Sequence, residues 1–390
     1  MVIEYLYRRS LVKENSYMTH AIYAIAFSIS LSGCYLVKRH AKCGFRTIRY
    51  GQLFKISYQK YRIWDYMLIA LPPIILLALR YGIGGDYYNY ERFYEQYVNS
   101  GTSQFEPLAE VIMSFNNYVF GNYQSFLALV ATVTFLLIVN WCVRLADSDS
   151  LPLTIGIMYC FYFGNAMNTI FQILAAAIIL YSFYYAQKRN IIKFMITVVI
   201  AALIHSSALI VLPLYFVILK NDKKENSRYN GKEILKIWGI LMISIIFAYI
   251  FTKYGALYKF AYSGYIGKYS EGGMINVYLK LAVLLYIPEL WFMSSLLKKS
   301  KKYELYYILV VLEMICYTMS ISVAYAFRMA YYFSFAHAII IPAIIENCIS
   351  TKSKVVVKIY FIMVLLFWFI FTTYVCKYNG IYEYKSIIGL

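Results

Sequence analysis

Charge is scarce in this chain. Only 14% of its 390 residues are Asp, Glu, Lys or Arg, against roughly a quarter in soluble domains, and the acidic ones number 19 against 37 basic. Proline stands at only seven positions, so no Pro-rich or low-complexity linker separates domains. No self-similar period or inverted repeat is visible either. The seven cysteines (Cys34, Cys43, Cys142, Cys160, Cys316, Cys348 and Cys376) form no CxxC pair and no Cys/His cluster of zinc spacing. They read as packing residues, and neither a metal nor a cofactor is expected. No cleavable signal peptide is expected either, because the first apolar run meets a strongly basic loop and not a small-residue cleavage site. That run is expected to remain as an anchor. Met18 opens it directly, behind Arg8, Arg9 and Lys13, so Met1 and Met18 are both candidate starts.

Apolar residues dominate instead, at 62% of the chain with a mean hydropathy of +0.59. The net charge of +18 does not point to nucleic acid, since Lys and Arg gather in short loops between apolar runs, as the positive-inside rule predicts. A spanning helix needs about 20 mainly apolar residues, and about twelve runs qualify. They lie near residues 18–37, 63–79, 123–143, 151–166, 169–187, 191–204, 206–220, 234–251, 276–297, 303–323, 329–346 and 355–376. The expected fold is an all-α polytopic membrane protein, one transmembrane domain over residues 1–390.

Basic loops set the sidedness. Residues 38–62 hold Lys38, Arg39, Lys42, Arg46, Arg49, Lys55, Lys60 and Arg62, so this loop is expected to be cytoplasmic. Alternation then puts Lys188 and Arg189, Lys223 and Lys224, Lys298 and Lys299, and Lys352 and Lys354 on the same side. The Arg8, Arg9 and Lys13 cluster is the exception. Residues 107–120 (PLAEVIMSFNNYVF) are half-apolar, and counting them as a span would invert every later loop. They are expected to form a re-entrant or interfacial helix on the outer face.

The polar residues fall on that outer face. Residues 80–122 form a first outer loop opening RYGIGGDYYNYERFYEQY, where Gly82, Gly84 and Gly85 permit a tight turn and Asp86 suits an N-cap. Tyr87, Tyr90, Tyr94 and Tyr97 then recur at helical spacing, a face that serves equally for headgroup anchoring and for stacking on sugars. Arg80 either snorkels from a helix end or offers its fork to a phosphate. A second outer loop, residues 252–275, repeats the pattern with Tyr254, Tyr258, Tyr262, Tyr265 and Tyr269. Shorter outer turns carry Asn165, Asn168, Gln172, His205 and Arg328. His205 is either a hydrogen-bonded cap or a proton acceptor; His20, His40 and His337 have no comparable polar company. Glu289, Glu313 and Glu346 are read as buried acids, with Glu289, behind Pro288, pairing across helices or marking a cavity.

These residues resemble the EpsG family of exopolysaccharide proteins and the related Wzy-type O-antigen and capsule polymerases. The resemblance rests on Arg80, Gly82, the stretch from Gly84 to Tyr87, Tyr90, Glu106 and Pro107. It continues through Asn168, Gln172, Ala175 to Ala177, Lys188 and Arg189, and Ala201 to Ala208 around His205. It covers about residues 80–214, with Arg328 a looser match. One position departs: the Arg expected before Gln172 is Phe171.

The resemblance implies a metal-independent membrane glycosyltransferase of GT-C type. Such an enzyme joins undecaprenyl-diphosphate-linked oligosaccharide repeat units into O-antigen, capsule or exopolysaccharide at the periplasmic face of the bacterial inner membrane. It implies membrane lipid, a chain-length regulator and a flippase as partners. A diphosphate leaving group needs fixed positive charge, which assigns Arg80 and Arg328 to the diphosphate. The attacking hydroxyl needs a proton acceptor, for which Asp86, Glu106 and His205 are the candidates. Tyr87, Tyr90, Gln172, Tyr258 and Tyr262 would hold the glycan. The rival classes are a lipid-linked oligosaccharide flippase, in which ionisable residues should line spans at many depths, and an O-antigen ligase. A polytopic acetyltransferase would need a reactive His on the inner side, where only His40 stands.

Overall fold

The computed structural model describes residues 2–41, 63–146, 149–216, 274–300, 303–320 and 325–388, with residues 231, 232, 235 and 239 as isolated points. Among these, every regular element is a helix, and the one strand-like feature is an isolated antiparallel bridge between Arg80 and Ser386. The chain divides into two compact units, the first comprising Met1–Tyr181, Ile196–Leu209 and Phe369–Leu390, the second Ser182–Met195 and Ile210–Trp368.

The helices stand where the apolar runs are. They are α1 (Val2–Ala41), α2 (Ile63–Leu79), α3 (Tyr87–Ser100), α4 (Pro107–Val119), α5 (Tyr123–Leu145), α6 (Leu151–Asn168), α7 (Ile170–Gln187) and α8 (Ile191–Ala202), then α9 (Met274–Lys299), α10 (Glu304–Ser320), α11 (Ala336–Glu346) and α12 (Thr351–Ile370). Short 3₁₀ turns cover Ser206–Val211, Ala326–Tyr332 and Tyr378–Gly380. Among the described residues, four helices are long and apolar enough to cross a bilayer: Met18–Val37, Tyr123–Leu145, Ile170–Gln187 and Thr351–Val375. The bent pair Ala326–Tyr332 and Ala336–Glu346 makes a fifth if taken as one broken span. The chain is thus an α-helical membrane protein. The expected 234–251 span, most of the basic 38–62 loop and nearly all of the 252–275 loop, with Tyr258 and Tyr262, lie outside the described residues.

Helix α4 is 13 residues long, too short to cross a bilayer. Ala109, Met113 and Asn116 face inward while Val111, Phe115 and Tyr118 are exposed, an amphipathic arrangement that suits an interface.

Within the first unit, α1 and α2 approach closely at Gly33, where a Cβ would come within 2.9 Å of Ile69 Cγ1. Helix α2 carries Pro72 and Pro73 in its interior. Proline has no N–H, so Pro73 leaves the Ile69 carbonyl without its helical partner. Tyr159 Oη at 2.6 Å and Ser30 Oγ at 2.9 Å both donate to that oxygen. Pro73 is therefore tolerated because α1 and α6 supply the missing donors, which also fastens the three helices together.

The end of α2 is closed the same way. A helix terminus leaves its last four carbonyls unpaired, and here each finds a donor from elsewhere. Tyr384 Oη donates to Leu76 O at 3.0 Å, Arg80 Nη1 to Leu77 O at 3.4 Å, and the Ile387 N–H to Leu79 O at 2.9 Å. The Gln124 amide donates to Ala78 O, and to Arg80 O at 3.1 Å. Two of these donors come from the segment after α12, which runs back along the end of α2 and sets Ser386 against Arg80.

In the second unit, α10 packs on α9, on the 3₁₀ turn 326–332 and on α11. The expected 329–346 span is not one continuous helix. It breaks at Phe333–Phe335, with a bend of 59° between its halves.

Candidate functional site

The turn after α2 is built on glycine. Gly84 has φ +105°, and a Cβ there would lie 2.1 Å from the Met167 carbonyl oxygen, so only glycine fits both the backbone and the space. This close approach lays the turn across the end of α6. The Asp86 N–H donates to Asn168 Oδ1 at 2.9 Å, Asn168 Nδ2 donates to Asn379 Oδ1 at 3.0 Å, and Asn379 Nδ2 donates to Asn165 Oδ1 at 3.0 Å. Two asparagines at the end of α6 and one from far along the sequence thus form one relay beneath Asp86. Asp86 itself sits at the N-cap position of α3, but its carboxylate makes no capping bond; Asn89 Nδ2 approaches it at 3.4 Å.

Arg80 does not snorkel. It is 1% exposed, and its Nε and Nη2 have no hydrogen-bond partner. Burial pulls its pKa down, while the phenols of Tyr123, Tyr87, Tyr90 and Tyr384 around it act the other way. A guanidinium keeps its proton regardless, so the consequence is a fixed, desolvated cation. Reciprocally, burial pushes the phenols of Tyr87 and Tyr384 up to about 12, against the lowering effect of Arg80.

The tyrosine face of α3 turns mainly inward. Tyr87 and Tyr94 are buried, Tyr87 edge-on to Tyr123 and Tyr94 stacked on Phe126. Tyr90 is half-buried and stacks on Phe105 with centroids 5.6 Å apart. Of the tyrosines assigned to a glycan, Tyr87 therefore lies inside the packing and Tyr90 at its margin. Phe171 completes this cluster, 1% exposed and in ring contact with Tyr90, Phe105 and Phe126. The position where the resemblance leads one to expect Arg is thus occupied by an aromatic ring in an aromatic surround.

His205 and Glu106 meet in the turn after α8. Glu106 Oε1 accepts the Ser206 N–H at 2.7 Å, and the Leu108 N–H donates to Leu203 O at 2.8 Å, which ties the start of α4 to that turn. His205 Nδ1 shares a 2.7 Å hydrogen bond with Ser207 Oγ, which also accepts from Gln172 Nε2 at 3.3 Å. Gln172 is buried and bridges helices, while His205 is half-buried. Arg80, Asp86, Tyr90, Glu106, Gln172 and His205 all belong to the first unit. Arg328 belongs to the second, in the 3₁₀ turn, with its guanidinium over the Tyr325 ring at 4.5 Å.

Two features escape a reading of the sequence. Asn379 follows the last apolar run, and its Asn-Gly pair at 379–380 is a turn signal that does not disclose what the turn touches. His337 does have company: it lies between Glu289 and Glu313, at 2.8 Å from each. Glu289 thus pairs across helices, whereas Glu346, expected to be buried, is exposed at the end of α11.

No curated protein and no solved structure matches the chain. The family model described as "EpsG family" matches residues 63–386, which spans the glycine turn, the asparagine relay and most of the segment that closes α2, and the chain belongs to the EpsG family.

Proposed function

We propose that this protein is a membrane-embedded polymerase that joins undecaprenyl-diphosphate-linked oligosaccharide repeat units at the outer face of the bacterial inner membrane. Membership of the EpsG family makes it a polysaccharide-related membrane protein. The observation that carries the finer reading is Arg80. Nε and Nη2 form the side edge of the guanidinium fork, the edge that grips two anion oxygens at once, and both are without a partner in a buried setting. Such a cation stabilises a diphosphate as it gains charge once the packing over its side edge opens to admit the anion.

In the proposed reaction an acceptor hydroxyl oxygen forms a bond to the anomeric carbon of the donor sugar. The bond from that carbon to the diphosphate oxygen breaks, and the lipid diphosphate leaves with the electron pair. The hydroxyl proton passes to a carboxylate or imidazole. Asp86 is the first choice, because it shares a turn with Arg80 and its carboxylate does not cap α3. Glu106 already accepts the Ser206 N–H, which suits it to holding the His205 turn. His205, with Nδ1 committed to Ser207, would act through Nε2.

Deletion of the gene should leave surface glycan carrying single repeat units, with the ladder of longer chains lost. Complementation with Arg80→Ala should fail to restore the ladder although the protein is made. Loss of all surface glycan, with lipid-linked units accumulating inside, would point to a flippase instead.

A further inference from the structure

We propose that Glu289, His337 and Glu313 form a buried proton-binding site that clamps the broken helix on which Arg328 stands. Glu289 lies on α9, Glu313 on α10 and His337 in the first turn of α11, and their exposures are 5%, 0% and 0%. His337 Nδ1 lies 2.8 Å from both oxygens of Glu289, and Nε2 lies 2.8 Å from Glu313 Oε2. A neutral imidazole has one N–H donor and one acceptor nitrogen. Ionised carboxylates are acceptors only, so two such contacts require two protons among the three groups, one more than a neutral imidazole between two carboxylates would carry. The extra proton is the ligand.

Its role follows from what Glu313 touches. Besides His337, Glu313 accepts Tyr286 Oη at 2.8 Å and Ser334 Oγ at 2.7 Å, both on Oε1. Ser334 lies in the break between the 3₁₀ turn 326–332 and α11, while His337 lies just beyond it. One carboxylate on α10 therefore holds the break and the start of α11 together, and the 3₁₀ turn before the break carries Arg328. Tyr286 stacks on the imidazole with centroids 5.2 Å apart. Among the described residues, the other titratable groups facing the cluster are Cys316 and Tyr317 of α10 and Tyr360 of α12. Neither carboxylate has an ion-pair partner other than His337 among the described residues. Two carboxylates and one imidazolium leave a net negative charge, which makes loss of the shared proton costly at membrane depth.

The test uses full-length protein in lipid nanodiscs with ¹⁵N-labelled histidine, which the chain holds at only four positions. At about pH 8, where an ordinary imidazole of pKa about 6.5 is neutral, the wild type should show one imidazolium with both nitrogens protonated. That signal should vanish in His337→Gln. Four neutral imidazoles in the wild type, together with glutamate side chains that are all ionised by their ¹³C carboxyl shifts in the same sample, would overturn the proposal with no variant needed; one protonated glutamate beside a neutral His337 would uphold it with the proton on the carboxyl. For the clamp, amides of residues 326–337 should exchange at least about tenfold faster in Glu313→Ala, which removes the acceptor, than in wild type; unchanged exchange would overturn it. Neither measurement depends on the polymerase reading.

Discussion

The Glu106 carboxylate accepts the backbone N–H of Ser206 at 2.7 Å and so fixes the turn that presents His205. This relationship separates a holding role from a proton-accepting one. Glu106→Gln keeps a carbonyl oxygen able to accept that N–H, whereas Glu106→Ala does not. If holding is its role, the glycan ladder should survive Glu106→Gln with little change and shorten or disappear in Glu106→Ala. Equal loss in both would assign Glu106 to the chemistry.

Arg80→Lys should not rescue the ladder any better than Arg80→Ala. An ammonium carries the charge but lacks the side edge of Nε and Nη2, and its strong hydration makes complete burial more costly. Densitometry of the ladder, normalised to protein level, reads the result. Full activity with lysine would show that a point charge suffices.

Gly84→Ala should destabilise the fold by about 2–3 kcal/mol, since φ +105° excludes a Cβ sterically and the Met167 carbonyl fills its place. Gly156→Ala is the control. It lies within α6 with nothing within 4 Å of a built Cβ, so alanine should stabilise it by about 0.5–1 kcal/mol through helix propensity. Thermal unfolding in detergent compares the two.

Phe171→Arg, which introduces the Arg that the resemblance leads one to expect there, should lower folded yield. The guanidinium would enter a space lined by the rings of Tyr90, Phe105 and Phe126, at a cost of about 3 kcal/mol or more for an unpaired buried charge. Phe171→Leu should be tolerated. Wild-type yield and stability for Phe171→Arg would mean that the turn around Asp86 retains a partner for the charge.

The helices were the most legible part of the sequence, because hydropathy reports length and burial directly. The runs read at 123–143, 169–187 and 303–323 became Tyr123–Leu145, Ile170–Gln187 and Glu304–Ser320. Hydropathy says nothing about continuity, so the break at Phe333–Phe335 passed as one span. The local geometry was legible where the residues lie in a contiguous turn, as in the glycine turn from Arg80 to Tyr90 and the helix that follows it. It was not where contacts join residues far apart, as between Asn168 and Asn379 or Glu289 and His337. A signal did exist in the second case: a lone ionisable residue inside an apolar run must find a partner, and Glu289 and His337 each stood alone. The tyrosine spacing of α3 announced a face but not its direction, since inward packing and outward stacking share one periodicity.

The segment from Asn379 to Ile387 bears on when the site comes into being. Asp86 rests on Asn168, Asn168 on Asn379, and Leu79 on Ile387, so the turn beside Arg80 is closed by residues about three hundred positions downstream. Contacts of such separation carry a loop-closure entropy that is met only late in folding. A nascent chain can insert α2 and α6 long before residue 379 is synthesised, and until then the Asp86 turn lacks its floor. Assembly of the site is thereby coupled to completion of the surrounding helices, and a ribosome stalled before Asn379 would leave an inserted, helical and inactive protein.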